Sequence, residues 1–341
     1  MQIQHIWMLL LAISGFLVFS LLALLSPAHA NPEHWRQAGF STDFSVHSVD
    51  LGTIFSGGPP KDGIPSIDDP RFEPASGIDW LQDNEPVIFL ELDGTAKAYP
   101  LQILIWHEIV NDRIGNTPVA VTYCPLCNSS VVFERRIDGT LLDFGTTGLL
   151  RNSDLVMYDR QTETWWQQFT GEGIVGTHTG RDLNMIPSRV TAFEDFRKTY
   201  PEGAVLARPT FSPRSYGTNP YAGYDSRSAP YPFFQGDLPD DINPMARVVV
   251  VRDDDKIFAV ALEYVRTNSP VALSADINLN WTGEQASILD QRETERGRAI
   301  GSVDAVKTVA GRRTPLVHDV TFAFVAHAFH PDVAILGITS P

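Results

Sequence analysis

Two pairs of segments in this chain resemble each other in the same order, and this repetition constrains the fold more than any other feature. Residues 87–104 resemble residues 248–265 at a constant offset of 161, and residues 191–206 match residues 321–336 at an offset of 130. The alternative is chance similarity between apolar strands, but chance does not explain why both matches occur in the same order along the chain. We therefore interpret the chain as an internal duplication whose second copy has lost 31 residues, 161 minus 130, from its middle.

Each copy begins with apolar, β-branched runs that are interrupted by Asp-Gly or Asp-Asp pairs, a pattern typical of β-hairpins. A further hairpin is predicted around Asp138-Gly139. Short helices are predicted at residues 101–110, 192–199 and 325–329, and a proline stops each of the last two. We therefore predict an α+β, β-rich fold in which two related β-rich halves pack as one compact unit.

The N-terminus has the features of an export signal. Residues 1–30 contain no Lys, Arg, Asp or Glu, residues 6–25 form an apolar run, and Ala28 and Ala30 form an A-x-A cleavage signature. The run approaches the roughly 20 residues that span a bilayer, so a retained N-terminal anchor, tethering the protein to the membrane, is the alternative. Both interpretations place the rest of the chain outside the cytoplasm, in the periplasm or secreted.

These features together give a prediction of the domain organisation along the chain. Five segments are predicted: 1–30, signal peptide or N-terminal anchor; 31–84, N-terminal extension and loop; 85–207, first repeat carrying the site; 208–245, a connector rich in Pro, Gly and Tyr; and 246–337, second, degenerate repeat.

The charge balance excludes one class of partner. The 41 acidic residues outnumber the 26 basic ones, which gives a formal net charge of -15. Because a nucleic-acid-binding protein needs a basic face that displaces counterions, nucleic acid is not expected as a partner. A small-molecule or protein partner is left open.

The chain has only two cysteines, and both lie in the sequence Thr122-Tyr-Cys-Pro-Leu-Cys127, at the end of a predicted strand over residues 118–123. A disulfide between Cys124 and Cys127 would close a loop of about four residues, worth roughly 2 kcal/mol, so stabilisation alone is a poor reason for the pair. A redox C-x-x-C is expected at the start of a helix, but here a turn into another strand follows. A metal site, a redox dithiol and an inert local disulfide all stay open.

An imidazole and two acids precede the cysteines, in the segment Trp106 to Asp112. His107 ends the predicted helix and the next strand returns to Cys124, so this helix-to-strand hairpin predicts that the two side chains meet. Thiolate with imidazole suits Cu or Zn. The segment is not a zinc-protease motif, because Asn111 stands where that motif has its second histidine. A structural histidine at the helix end is the alternative.

From these residues we predict one site in the first half. Its centre is Cys124 and His107, as catalytic residues or metal ligands, with the sulfur within about 4 Å of a ring nitrogen, directly or across a metal. Cys127 is predicted as a further metal ligand. Glu108, Asn111 and Asp154 are predicted to support the centre.

The second half serves as an internal control for this interpretation. It keeps the strand runs and the terminal helix of the first half but contains no cysteine. A purely structural role would be expected in both copies, so we predict that the first copy carries the site and the second supports it.

Several stretches of the first half resemble the DUF3179 family of exported bacterial and archaeal proteins, a family whose name denotes an unknown function. The matching stretches are residues 56–65, 98–112, 121–127, 138–150 and 153–176. In that family the first cysteine is the more regular of the two, since the second can be Thr, and Gly is usual where this chain has Asn128. The resemblance therefore implies that Cys124 and His107 are stronger site candidates than Cys127.

Three functional classes follow from the site prediction. The first is a carrier or metalloenzyme that binds a thiophilic metal, Cu or Zn. The second is a thiol-based oxidoreductase or an enzyme with a cysteine nucleophile. The third is a non-catalytic binding or structural module with a local disulfide.

Overall fold

Strands dominate the part of the chain that the computed structural model describes, residues 31–210 and 212–338. The segment predicted as a signal or anchor, residues 1–30, lies outside the described residues. None of the helices described is both long and apolar enough to span a membrane.

The helices are short and are numbered along the chain. Those described are α1 Pro32–Gln37, α2 Leu101–His107, α3 Phe193–Thr199, α4 Leu262–Asn268 and α5 Ala323–Phe329.

The strands up to the connector are β1 Ile54–Ser56, β2 Phe72–Pro74, β3 Pro86–Leu92, β4 Thr95–Pro100, β5 Ile109–Ile114, β6 Thr117–Cys124, β7 Ser129–Glu134, β8 Arg136–Ile137, β9 Thr140–Leu141, β10 Phe144–Arg151, β11 Asp154–Asp159, β12 Trp165–Gln167, β13 Gly173–Val175, β14 Met185–Ile186, β15 Arg189–Ala192 and β16 Ala204–Leu206. The strands after it are β17 Arg247–Asp253, β18 Lys256–Ala261, β19 Val271–Ala272, β20 Ile277–Ala286, β21 Ala299–Val309, β22 Arg312–Pro315, β23 Val317–Phe322 and β24 Ile335–Leu336.

Five larger sheets organise these strands, beside the small β8-β9 hairpin. The cysteine sheet has the order β14-β7-β6-β5, and the aspartate sheet has the order β1-β10-β11-β12-β13. The first framework sheet is β15-β3-β4-β16-β2 and the second is β23-β17-β18-β24. The distal sheet, β19-β20-β21-β22, belongs to the second half. The predicted β-rich α+β class is therefore confirmed.

The two framework sheets share the same pairing scheme. In each, an antiparallel hairpin (β3-β4 or β17-β18) is joined on one side by an antiparallel strand and on the other by a parallel one. Phe89 pairs with Ala98 and Val250 with Ala259, so the hairpin partners correspond at the offset of 161. The helices correspond too, because α2 and α4 begin 161 residues apart, and α3 and α5 begin 130 apart.

The helix that precedes the cysteine sheet is shorter than predicted. The sequence predicted a helix to about residue 110, but α2 ends at His107 and β5 begins at Ile109. Glu108 takes a positive φ of 59°, a conformation in which an L-residue cannot continue a right-handed helix. The hairpin predicted at Asp138-Gly139 is confirmed, since these two residues join β8 to β9 with φ of 46° and 82°.

One hydrophobic core contains residues from both halves of the chain. Ile88 and Tyr123 from the first half belong to the same buried cluster as Val250 and Phe324 from the second. The boundaries predicted for the individual domains stay predictions.

The connector, residues 208–245, contains no α-helix or strand among its described residues and is held by backbone hydrogen bonds to residues 289–294 and by side chains. Tyr224 is fully buried, stacks on Tyr231 with ring centroids 4.4 Å apart, and donates a hydrogen bond to the Leu126 carbonyl. The next residue, Asp225, is buried against Arg247 at 2.8 Å and Arg298 at 2.9 Å. The connector is thus an ordered cover over the turn that carries the cysteines.

Replacement of Asp225 by Ala is expected to lower the free energy of unfolding by about 3–5 kcal/mol, because it leaves the buried Arg247 guanidinium without its carboxylate. Urea denaturation measures the change. The matched control is Glu194→Ala, which removes the carboxylate of the exposed Lys198 pair and should leave the urea midpoint unchanged. Equal midpoints for the two variants would contradict the anchoring role of Asp225.

Candidate functional site

The two cysteines occupy a tight turn between adjacent antiparallel strands. Cys124 ends β6 and pairs with Ser129 at the start of β7. The Cys127 amide donates to the Cys124 carbonyl at 3.3 Å, and Asn128 closes the turn with a φ of 51°. The pair therefore lies between two strands and not at the start of a helix, so no helix dipole lowers the pKa of either thiol.

A second tight turn meets the cysteine turn from the aspartate sheet. Asn152 and Ser153 link β10 to β11 with φ of 53° and 62°, as in a type I′ hairpin turn. The Ser153 carbonyl accepts weak hydrogen bonds from the sulfurs of Cys127 at 3.4 Å and Cys124 at 3.8 Å. The hairpin then places the next residue, Asp154, beside both thiols.

Cys124, Cys127 and Asp154 form the Cys-Cys-Asp group, in which two sulfurs and one carboxylate oxygen all lie within 4.8 Å of one another. Cys124 is 2% exposed and the other two residues are fully buried. Asp154 Oδ2 accepts hydrogen bonds from Gln167 Nε2 at 2.6 Å and from the Phe169 amide at 2.9 Å. Asp154 Oδ1 is equally buried but has no hydrogen-bond partner among the described residues.

The electrostatics of this group disfavour negative charge. Burial raises the pKa of Cys124, and the nearby Asp154 and Glu108 carboxyls add to this, although the contact with Cys127 opposes it. Burial also raises the pKa of Cys127 well above its usual value. For the same reason the pKa of Asp154 is about 6 and that of Glu108 about 8. A bound cation would reverse these preferences, because it stabilises thiolate and carboxylate together.

Four residues around the group have left-handed backbone conformations. Glu108, Asn128, Asn152 and Ser153 all adopt positive φ angles without being glycine. Asn adopts this conformation readily, and a type I′ turn requires it at both central positions. These angles therefore shape the two turns that bring the cysteines and Asp154 together.

His107 is not part of the Cys-Cys-Asp group, and its predicted role beside Cys124 stays a prediction. Its Nδ1 lies 2.7 Å from the Pro65 carbonyl and its Nε2 lies 2.7 Å from the Tyr216 hydroxyl. Because a carbonyl oxygen can only accept, Nδ1 carries the proton and Nε2 accepts from Tyr216. Burial lowers the pKa of His107, and the charge of Arg214 also lowers it, while the Pro65 hydrogen bond opposes both. His107 thus anchors the connector as a neutral imidazole.

The other two residues predicted as supporting have different positions. Glu108 lies near the group, since its carboxyl contributes to the raised pKa of Cys124 and Asp154 contributes to the raised pKa of Glu108. Asn111 has a structural contact instead, because its side-chain amide bonds both the amide and the carbonyl of Phe144. Asn111 therefore joins the cysteine sheet to the aspartate sheet.

Residues of the second half hold the group from outside, and none of them is among the predicted site residues. The Cys127 carbonyl accepts from the Phe322 amide at 3.2 Å and from Thr321 Oγ1 at 2.8 Å. Asn128 Nδ2 donates to the Val320 carbonyl at 2.8 Å, so β23 of the second half holds the cysteine turn. No sequence pattern indicates these contacts between β23 and the cysteine turn. A signal did exist on the aspartate side, because Gln167 and Gln168 directly follow two tryptophans, and amides in such an apolar segment indicate buried polar groups.

The chain belongs to the family described as "Protein of unknown function (DUF3179)", whose sequence model matches residues 61–333. The match covers nearly the whole chain, including the cysteine turn and the strands of the second half that hold it. Comparison with curated proteins and with solved structures gave no significant match.

In the metal-free protein, the free energy of unfolding should fall as pH rises from the Asp154 pKa of about 6 to the Glu108 pKa of about 8. Over that range the Glu108 carboxyl stays protonated in the folded chain but is ionised in the unfolded chain, which therefore binds fewer protons. Urea denaturation of Glu108→Gln at several pH values should show a shallower slope than the parent protein. Identical slopes would show that Glu108 is not held protonated by burial.

Proposed function

We propose that this member of the DUF3179 family is an exported protein that binds a thiophilic metal ion, Cu or Zn, through Cys124, Cys127 and Asp154. The observation that carries the proposal is the placement of a buried Asp154 carboxylate oxygen within 4.8 Å of both sulfurs, while Asp154 Oδ1 accepts no hydrogen bond of normal geometry among the described residues. Of the buried atoms without a hydrogen-bond partner, this oxygen is the one that belongs to a group with two sulfurs, and it therefore offers a free coordination position for a cation.

The donor set fits such an ion. Two cysteine sulfurs and a carboxylate are established ligand types for Zn, and soft sulfur also suits Cu(I). In a tetrahedral site with Zn-S bonds of about 2.3 Å, the two sulfurs would lie roughly 3.8 Å apart. The separations of up to 4.8 Å therefore need only small side-chain movements to reach that geometry.

Charge supports the same conclusion. Asp154 has no salt-bridge partner within 4.0 Å among the described residues, and the thiols beside it are disfavoured as thiolates. A divalent ion would compensate two thiolates and a carboxylate, and its binding would release the thiol protons. Three protein ligands leave one position for an exogenous ligand, as a carrier that passes its ion on, or a metalloenzyme, requires.

A thiol oxidoreductase is the second candidate, because both cysteines are free and lie close together in a C-x-x-C turn. The same burial weakens this candidate. A reactive thiol needs exposure and a lowered pKa, but both thiols here are buried with raised pKa values.

We also propose that the two halves arose by duplication, with the second copy retained as a support for the site. The shared pairing scheme of the framework sheets at the offsets of 161 and 130 supports this origin. Export rests on the apolar run of residues 6–25 and the A-x-A signature that follows it.

Protein purified from the exported fraction is expected to contain one Cu or Zn ion per chain, measured by elemental analysis. Cys124→Ser and Cys127→Ser should lose the ion, because each removes a thiolate. Asp154→Asn should weaken binding by at least the roughly 10- to 100-fold that loss of an outer hydrogen bond to a ligand typically causes, measured by competition with a chelator.

The matched control is His107→Gln, which removes an imidazole that contacts Pro65 and Tyr216 and should keep the ion. Loss of the ion in His107→Gln, together with its retention in Asp154→Asn, would favour a metal site centred on Cys124 and His107. Metal-free protein with a reversible two-electron Cys124-Cys127 couple would favour the oxidoreductase.

A further inference from the structure

Two relays of hydrogen bonds reach Asp154 from arginines that lie outside the Cys-Cys-Asp group. In the first relay, Arg151 Nη1 donates to Gln167 Oε1 at 3.3 Å, and Gln167 Nε2 donates to Asp154 Oδ2 at 2.6 Å. Arg151 is also the direct cross-strand partner of Asp154 at the end of the β10-β11 hairpin. The guanidinium thus orients the amide that holds the carboxylate.

The second relay starts in the other half of the chain. Arg252, on β17, donates from Nη2 to the Phe169 carbonyl at 3.0 Å, and the Phe169 amide donates to Asp154 Oδ2 at 2.9 Å. The Arg252 guanidinium lies 4.7 Å from the centre of the Phe169 ring. The Arg252 guanidinium therefore contacts Phe169 twice, at its backbone carbonyl and at its ring.

Both relays end on the same oxygen, which determines how Asp154 can bind a metal. Oδ2 already accepts two hydrogen bonds, whereas the buried Oδ1 accepts none among the described residues. The carboxylate is therefore arranged to bind through Oδ1 alone. Neither Arg151 nor Arg252 forms a salt bridge within the described part of the chain, so no carboxylate contact neutralises their charges.

We infer that Arg151 and Arg252 are positioning residues that make the site selective for Zn(II) over Cu(I), an inference that rests on the proposed metal-binding function. Cu(I) is satisfied by two soft thiolates and gains little from a carboxylate oxygen. Zn(II) accepts sulfur and oxygen ligands together and prefers four of them, so it depends on an oriented Asp154. The outer hydrogen bonds of a ligand typically change metal affinity by 10- to 100-fold.

The test measures affinities for Zn(II) and Cu(I) by chelator competition, on the full chain, for the parent protein and for Arg252→Gln. We expect the Zn(II) affinity of the variant to fall about 10- to 100-fold and its Cu(I) affinity to change less than about threefold. Arg252→Lys, which keeps a donor and the charge, should recover part of the loss. Arg313→Gln, an exposed arginine of the second half, is the matched control and should bind both ions like the parent.

A mutant cycle separates positioning from a general structural role. In an Asp154→Asn background, Arg252→Gln should cause no further loss of Zn(II) affinity, because the relay no longer has a carboxylate to orient. If Arg252→Gln does not fold, as judged by circular dichroism, Arg151→Gln tests the other relay with the same measurements.

The outcomes separate the two claims. If Arg252→Gln loses affinity equally for both ions, or loses as much Zn(II) affinity in the Asp154→Asn background, Arg252 has a general structural role and the inference is overturned. Unchanged Zn(II) affinity in Arg252→Gln would also overturn the inference. In those cases the proposed function stands, because the parent protein still binds metal. A parent protein that binds neither ion would overturn the proposed function and the inference together.

Discussion

The burial of one carboxylate beside two thiols, without a cation in contact among the described residues, is the constraint on which the site depends. Ionising these three groups in a buried position is costly, and the raised pKa values of Asp154 and both thiols reflect that cost. Two tight turns, each with non-glycine residues at positive φ, bring the three side chains together. A cation in the group would offset the cost of ionisation, because it stabilises thiolate and carboxylate together.

The second half supports the site, although it contributes no member of the Cys-Cys-Asp group. Its strand β23 fixes the cysteine turn at the Cys127 carbonyl and the Asn128 amide, and Asp319 accepts from the Ser130 amide at 2.9 Å. Its strand β17 supplies Arg252 to the aspartate side. A metal site with soft ligands on a flexible turn would select poorly between ions, whereas a turn fixed from both sides presents its ligands in one geometry.

Features determined by local sequence could be predicted, and those set by distant contacts could not. The Asp138-Gly139 hairpin and the strands before and after the cysteines follow from short-range patterns, and the offset of 161 relates equivalent hairpin pairs of the two framework sheets. The partners of His107 could not be predicted, because Pro65 and Tyr216 lie 42 and 109 residues away. Asp154 was recognised only as a supporting residue, since its place beside the thiols depends on the Asn152-Ser153 turn.

X-ray absorption spectroscopy at the metal edge of the purified protein tests the central claim most directly. With Zn bound, we expect two sulfur neighbours at about 2.3 Å and an oxygen shell at about 2.0–2.2 Å that includes Asp154. With Cu(I) bound, we expect a first shell dominated by the same two sulfurs. A first shell with no sulfur, whichever metal is bound, would contradict coordination by Cys124 and Cys127.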